Sequence, residues 1–131
     1  MWFPGYALPA DTPEDASAAL AALDAYEPLP AKEFFSVPEA LAGRVYLLAS
    51  KATDAIPRLE RGVASCTALD EPILHTRALL DLGRAREATG DKVGACDEYK
   101  AVVARWGEAK PRSVTAEAAR ARLKALGCGA R

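Results

Sequence analysis

Apolar residues recur along this chain at spacings of three and four, with polar residues between them, over most of its 131 positions. Leu41, Val45 and Leu48, for example, would share one face of a helix. The β-branched residues that favour strands are sparse. The pattern therefore predicts an all-α fold.

Capping residues and prolines divide this pattern into about six helices. Thr12 and Pro13 predict the first helix start, because Thr caps well and Pro suits a first turn. Residues 1–11 before it are expected to be an irregular lead-in, and residues 27–37 a proline-containing connector. Pro38 is predicted to open the second helix.

The remaining boundaries follow from the same signals. A break at residues 50–54 should precede a third helix, with Pro57 in its first turn and its end near residue 69. Gly90 and Gly127 are natural stops after helices. The last three helices are expected at about residues 72–89, 92–106 and 114–126.

A set of small and aromatic positions occurs twice, with Gly43 and Gly83 separated by 40 residues. The copy at residues 76–109 contains Leu79, Leu82, Gly83, Gly90, Ala95 and Tyr99. The copy at about residues 36–69 contains Ala42, Gly43, Tyr46, Ala55, Leu59 and Gly62. Glycine and alanine at these places would let two helices approach closely, with Tyr99 filling the gap beyond them.

Both copies resemble the tetratricopeptide repeat (TPR), a helix pair with a period of about 34 residues. Arg86 stands at a usual aromatic position and the closing proline is displaced to Pro111, which are departures from that template. The resemblance implies antiparallel helix pairs in a right-handed stack. It predicts one TPR-like domain at residues 12–128, with a C-terminal capping helix at about 113–127.

The C-terminal sequence carries a more specific resemblance. Its residues are Gly90-Asp91, Gly94-Ala95-Cys96-Asp97-Glu98-Tyr99, Trp106-Gly107, Ala109-Lys110-Pro111-Arg112-Ser113-Val114-Thr115-Ala116-Glu117 and Lys124-Ala125-Leu126-Gly127-Cys128. Over roughly residues 10–128 the chain is similar to the C-terminal helical-repeat region of serine/threonine protein kinases from myxobacteria and related bacteria. The resemblance implies a piece of a longer protein whose kinase domain lies outside this sequence, so no catalytic residue carries over.

No catalytic motif is present in the chain itself. It has no phosphate-binding loop, no GxSxG nucleophile elbow and no HExxH zinc motif. We therefore predict a non-catalytic protein without a cofactor or metal site. His75, the single histidine, is expected to cap or pack in the fourth helix. Cys96, beyond the far end of that helix, is too distant to share a zinc ion with it.

A binding face is the main functional prediction. In stacked helix pairs the first helix of each pair lines the concave surface. Template positions place Arg44, Leu47, Leu48, Arg77, Leu80, Asp81, Arg84 and Glu87 there. An apolar floor with a row of arginines suits an extended protein or peptide segment rich in carboxylates. Solvated arginines, a spacer between kinase and sensor parts, and a self-association module forming homodimers remain alternatives.

Charge excludes some partners. The formal net charge is −1, which does not favour nucleic acid. Uninterrupted apolar runs, such as residues 18–23 and 45–49, are too short for direct membrane insertion. Residues 1–40 carry seven acids and one base, a net of −6, whereas residues 105–131 carry seven bases and two acids, a net of +5. The basic end is either a solvated face or a contact for an acidic partner.

The cysteines bear on localisation. Cys96 lies near the start of the fifth helix and Cys128 follows the last helix, so antiparallel packing of the two helices would bring the cysteines within disulfide reach. Two idle thiols are the alternative, and Cys66 is expected to stay unpaired. The location is open between bacterial cytoplasm and periplasm, and a bond would favour the periplasm.

Trp2, Phe3 and Tyr6 in the lead-in are expected to dock on this domain or on a neighbour.

Overall fold

The computed structural model describes residues 3–29, 36–65 and 68–129. Within these ranges the chain is helical and contains no strand, which confirms the all-α prediction. The helices are α1 (Pro13–Leu23), α2 (Ser36–Leu48), α3 (Ala52–Ala64), α4 (Pro72–Ala88), α5 (Lys92–Trp106) and α6 (Val114–Leu126), preceded by a π-helical turn (Phe3–Ala7). Among these helices, none is both long and apolar enough to cross a membrane.

Several helix ends lie where the capping residues predicted them. The Thr12 hydroxyl accepts a hydrogen bond from the Asp15 backbone N–H at 3.1 Å, and the Asp15 carboxylate accepts one from the Thr12 N–H in return. Gly90 and Gly127 have φ angles of +88° and +64°, which glycine adopts at little cost after a helix. These starts and stops are confirmed.

The third helix differs from the expectation. α3 begins at Ala52, so Pro57 lies in its second turn and the prediction of a first-turn proline was wrong. The N–H that Pro57 lacks would have bonded the carbonyl of Thr53. The break between α2 and α3 is shorter than expected, and Ser50 turns the chain sharply there with a φ of +60°. The helix also ends sooner than expected, at Ala64.

The lead-in is more ordered than expected. Its helical turn packs against α1 and α2, and Ala7 and Ala10 are fully buried. The rings of Tyr6 and Tyr26 lie 6.5 Å apart, centroid to centroid. Tyr6 therefore docks on this domain, whereas Trp2 and the side chain of Phe3 lie outside the described residues.

From α1 to α6, each helix packs against the next one in chain order. In addition, α4 contacts α2 and α6. Three clusters of buried side chains form the core. Tyr46 packs against both the first cluster, around α1 and α2, and the middle one. Val63 joins the middle cluster to the third, between α4, α5 and α6. The core is therefore continuous along the stack.

Two glycines determine how closely neighbouring helices approach. A Cβ atom on Gly43 would lie 2.5 Å from Cγ of Leu59, and one on Gly83 would lie 2.6 Å from Cε1 of Tyr99. Both distances are shorter than carbon atoms tolerate. Leu59 and Tyr99 are fully buried, so neither side chain can swing out to solvent. Only glycine fits at either position.

We expect Gly83→Leu to lower the free energy of unfolding by about 2 to 4 kcal/mol. Overpacking costs about 1 to 3 kcal/mol in typical cores, and here the rigid Tyr99 ring must move or the helices must separate. The gain in helix propensity returns only about 1 kcal/mol. Urea unfolding measures the change, with Ala88→Leu as the control because Ala88 is exposed on the same helix. Equal stability of the two variants would contradict the close contact.

Candidate functional site

Arg44, Arg77 and Arg84 converge where α4 contacts both α2 and α6. Arg44, Arg77 and Asp81 border two spaces, one on each side of α4. The space of about 40 Å³ is lined by Leu8, Ala40, Leu41, Arg44, Leu74, Arg77, Ala78 and Asp81. The space of about 170 Å³ is lined by Arg44, Arg77, Leu80, Asp81, Arg84, Val114, Thr115 and Ala118. We call these two spaces together the arginine groove.

Asp81 is the acidic centre of the groove and is only 5% exposed. Arg84 Nη1 lies 3.4 Å from Asp81 Oδ1, a long hydrogen bond. Burial raises the pKa of Asp81, and the positive charges of Arg44, Arg84 and Arg77 only partly offset that effect. The groove therefore contains a buried carboxylate whose charged form is disfavoured by burial and favoured by three nearby arginines.

Arg44 contacts the lead-in as well as the groove. Its Nη2 donates to Asp11 Oδ1 at 2.8 Å and to the carbonyl of Ala10 at 3.3 Å. Its side chain is 19% exposed, against 80% for that of Asp11. Arg44 is thus positioned by a segment that sequence reasoning treated as separate from the domain.

Glu87 lies beyond Arg84 and belongs to a local network. Its carboxylate accepts hydrogen bonds from the Tyr99 hydroxyl at 2.8 Å and from Arg122 Nε at 3.1 Å. The bond from Arg122 is the main reason that the pKa of Glu87 is lowered. Arg122 was missed from the sequence, because nothing in the spacing of α6 aligns it with Glu87. With Arg84 and Ala88 these residues line a more open space of about 380 Å³.

The structure does not bring every predicted residue to the groove. Leu47 packs against the middle cluster of the core and Leu48 against the cluster around α1 and α2, and neither lines the two spaces of the arginine groove. Apolar neighbours leave these leucines only partly exposed. Leu80 is buried in the third cluster and still borders the wider space.

Two other arginines are held by partners away from the groove. Arg58 bonds Glu27 and lies over the Tyr46 ring, 5.3 Å from its centroid. Arg86 pairs with Glu60 at 3.0 Å, Asp91 at 3.2 Å and Glu98 at 3.8 Å. These arginines fix helices relative to each other, which distinguishes them from the exposed Arg77 and Arg84.

His75 packs between three helices. Its Nε2 lies 2.9 Å from the carbonyl oxygen of Val63, and Arg105 Nη1 lies 2.6 Å from its Nδ1. Since a carbonyl only accepts and a guanidinium only donates, these contacts match an Nε2–H tautomer. In the part of the chain that the structure describes, no cluster of three or more His, Cys, Asp or Glu residues could hold a metal ion.

A disulfide joins Cys96 to Cys128, with their Cα atoms 5.6 Å apart. It ties the N-terminal part of α5 to the segment after α6 and so anchors the helix whose Val114, Thr115 and Ala118 border the groove. Cys66, predicted to stay unpaired, lies outside the described residues.

Comparisons with family models, with curated proteins and with solved structures find no match for this chain. The resemblance to a kinase C-terminal region stays a prediction, and the chemistry of the groove is the remaining guide to function.

Thiol counting on the unfolded, unreduced protein should find one free thiol, that of Cys66. Reduction should then lower the free energy of unfolding by about 3 to 4 kcal/mol, because the bond closes a loop with a sequence separation of 32 residues. A Cys66→Ser variant, with no free thiol expected, is the control. Three free thiols in the wild type would contradict the bond.

The carboxylates of Asp81 and Glu87 should change the stability of the protein with pH in opposite directions. The raised pKa of Asp81 in the folded state means that the wild type loses stability as the pH rises above the ordinary value of 3.8, so Asp81→Asn should gain stability relative to wild type with rising pH. The lowered pKa of Glu87 means that the wild type gains stability as the pH rises toward the ordinary value of 4.5, so Glu87→Gln should lose stability relative to wild type over that rise. Urea unfolding at several pH values measures both. If the stability of both variants relative to wild type changed in the same direction with pH, the opposite pKa shifts of Asp81 and Glu87 would be contradicted.

Proposed function

We propose that this chain is a non-catalytic protein–protein interaction module of TPR-like architecture. In this proposal its arginine groove binds an extended protein or peptide segment that carries carboxylates. The observation that carries the proposal is the convergence of Arg44, Arg77 and Arg84 beside one α4 surface. Each guanidinium presents a planar fork of donors that matches a carboxylate.

The internal repeat supports the TPR-like part of the proposal. Gly43 meets Leu59, and 40 residues later Gly83 meets Tyr99. Gly62, later in α3, meets Ala40, earlier in α2, which is the contact order of an antiparallel pair. α4 touches α2 and α6, as expected if the first helix of each pair lines a common face. On this reading α6 caps the second pair.

The charge balance supports an acidic ligand. Arg44, Arg77 and Arg84 all lie near the carboxylate of Asp81, whose ionisation burial disfavours, and Arg44 also bonds the exposed Asp11. Arg77 and Arg84 are exposed at the groove, so a ligand carboxylate can reach them without burying an unpaired charge. A hydrogen bond to a charged group contributes about 1.5 to 3 kcal/mol, and two such bonds would make the segment specific for acids.

The wider setting follows from the sequence resemblance. We propose that the module is the C-terminal regulatory or scaffolding part of a bacterial serine/threonine protein kinase. The Cys96–Cys128 bond supports placement in an oxidising compartment such as the periplasm. Self-association and a spacer between kinase and sensor parts are the alternatives.

Selection from a random-peptide library on the wild-type domain should enrich peptides with Asp or Glu. The affinity of a selected peptide should fall about 100-fold or more in Arg77→Glu with Arg84→Glu, because two charge-assisted hydrogen bonds are replaced by repulsion. The control is Lys92→Glu with Arg112→Glu, which makes the same change in charge at exposed positions outside the groove.

Selected peptides without acids, or equal affinity for both double variants, would contradict the proposal. Light scattering on the wild-type domain then separates the alternatives. A dimer would favour self-association, and a monomer would favour the spacer.

A further inference from the structure

The lead-in lies along the α2 end of the groove. Ala7 and Ala10 are fully buried, which fixes the backbone of residues 7–10 on the domain. Between and after them, Leu8 borders the narrow space beside Arg77 and Asp81, and Asp11 reaches Arg44 at 2.8 Å. This short segment therefore brings an apolar side chain and a carboxylate to the groove three residues apart.

The two halves of the groove differ where the lead-in contacts them. Arg44, Arg77 and Asp81 border both spaces. Leu8 lines the space between α2 and α4, whereas Val114, Thr115 and Ala118 of α6 line the other space. The lead-in thus contributes to the wall of one of the two halves of the groove.

The side chains that make these contacts are weakly held. Leu8 is 55% exposed, and the carboxylate of Asp11 is largely in solvent. An exposed ion pair changes an equilibrium constant by only about fivefold. A ligand with the same two groups can therefore replace these side chains without unfolding α1 or α2.

We propose that the side chains of Leu8 and Asp11 are internal occupants of the α2 end of the groove, and that a partner displaces these two side chains while Ala7 and Ala10 stay buried. The partner would carry the same pattern, an apolar residue followed three positions later by a carboxylate. Leu8 would leave the wall of the narrow space and Asp11 would leave Arg44 as the partner takes both places. This inference rests on the proposed function, because it names the ligand pattern and the regulation of that groove.

The test uses a fluorescein-labelled peptide with the sequence of residues 6–12, Tyr-Ala-Leu-Pro-Ala-Asp-Thr, and fluorescence anisotropy on the full chain. Leu8→Ala with Asp11→Ala should bind it about three- to tenfold tighter than wild type, because the internal competitor has lost both side chains. The matched control is Asp24→Ala with Leu69→Ala, which removes an exposed acid and an exposed leucine elsewhere and should behave as wild type.

Adding Arg44→Ala to the Leu8/Asp11 variant should abolish the gain, since the ligand carboxylate loses its partner. Equal binding to wild type and the Leu8/Asp11 variant, no binding to that variant, or a gain that survives Arg44→Ala would each overturn the inference. A library-selected acidic peptide measured in parallel decides the proposed function separately. If that peptide still requires Arg77 and Arg84, the proposed function stands even when the lead-in peptide fails.

Discussion

The close approach of helices at Gly43 and Gly83 is the constraint on which the rest of the structure depends. At Gly83 the ring of Tyr99 occupies the volume that any side chain would need. The hydroxyl of the same ring bonds Glu87, which in turn bonds Arg122 on α6. A wider spacing between α4 and α5 would therefore disturb this network as well as the core. Helix spacing and the charge pattern beside the groove are thus coupled through one tyrosine.

In the proposed repeat, Arg86 departs from the TPR template, and the contacts of Arg86 offer a physical reason. Tyr46 and Arg58 stand 40 residues before Arg86 and Glu98. Arg58 lies over the ring of Tyr46, whereas Arg86 pairs with Glu98. Both pairs therefore supply an attraction between two neighbouring helices, although the residue types differ. Glu60 and Asp91 add to the second pair, which fixes Arg86 in place.

The sequence predicted what local chemistry determines and missed what packing determines. Helix ends at Thr12, Gly90 and Gly127 follow from capping and backbone freedom, and the groove arginines follow from the repeat. Leu47 and Leu48 could not be assigned to the core from a helical pattern, because such a pattern does not say which neighbour covers a residue. The docking of the lead-in and the pairing of Arg122 with Glu87 join residues far apart in the chain, so no local signal shows them.

The central claim is that Arg44, Arg77 and Arg84 form a site for carboxylates while the other paired arginines serve the fold. Arginine side-chain N–H resonances, followed by NMR during titration with a library-selected acidic peptide, test it most directly. We expect the N–H resonances of Arg77 and Arg84 to shift, and that of Arg44 to shift as Asp11 is displaced. Arg58 and Arg86, which are held by Glu27 and by Glu60, should not move. Shifts at Arg58 and Arg86, with Arg77 and Arg84 unchanged, would contradict it.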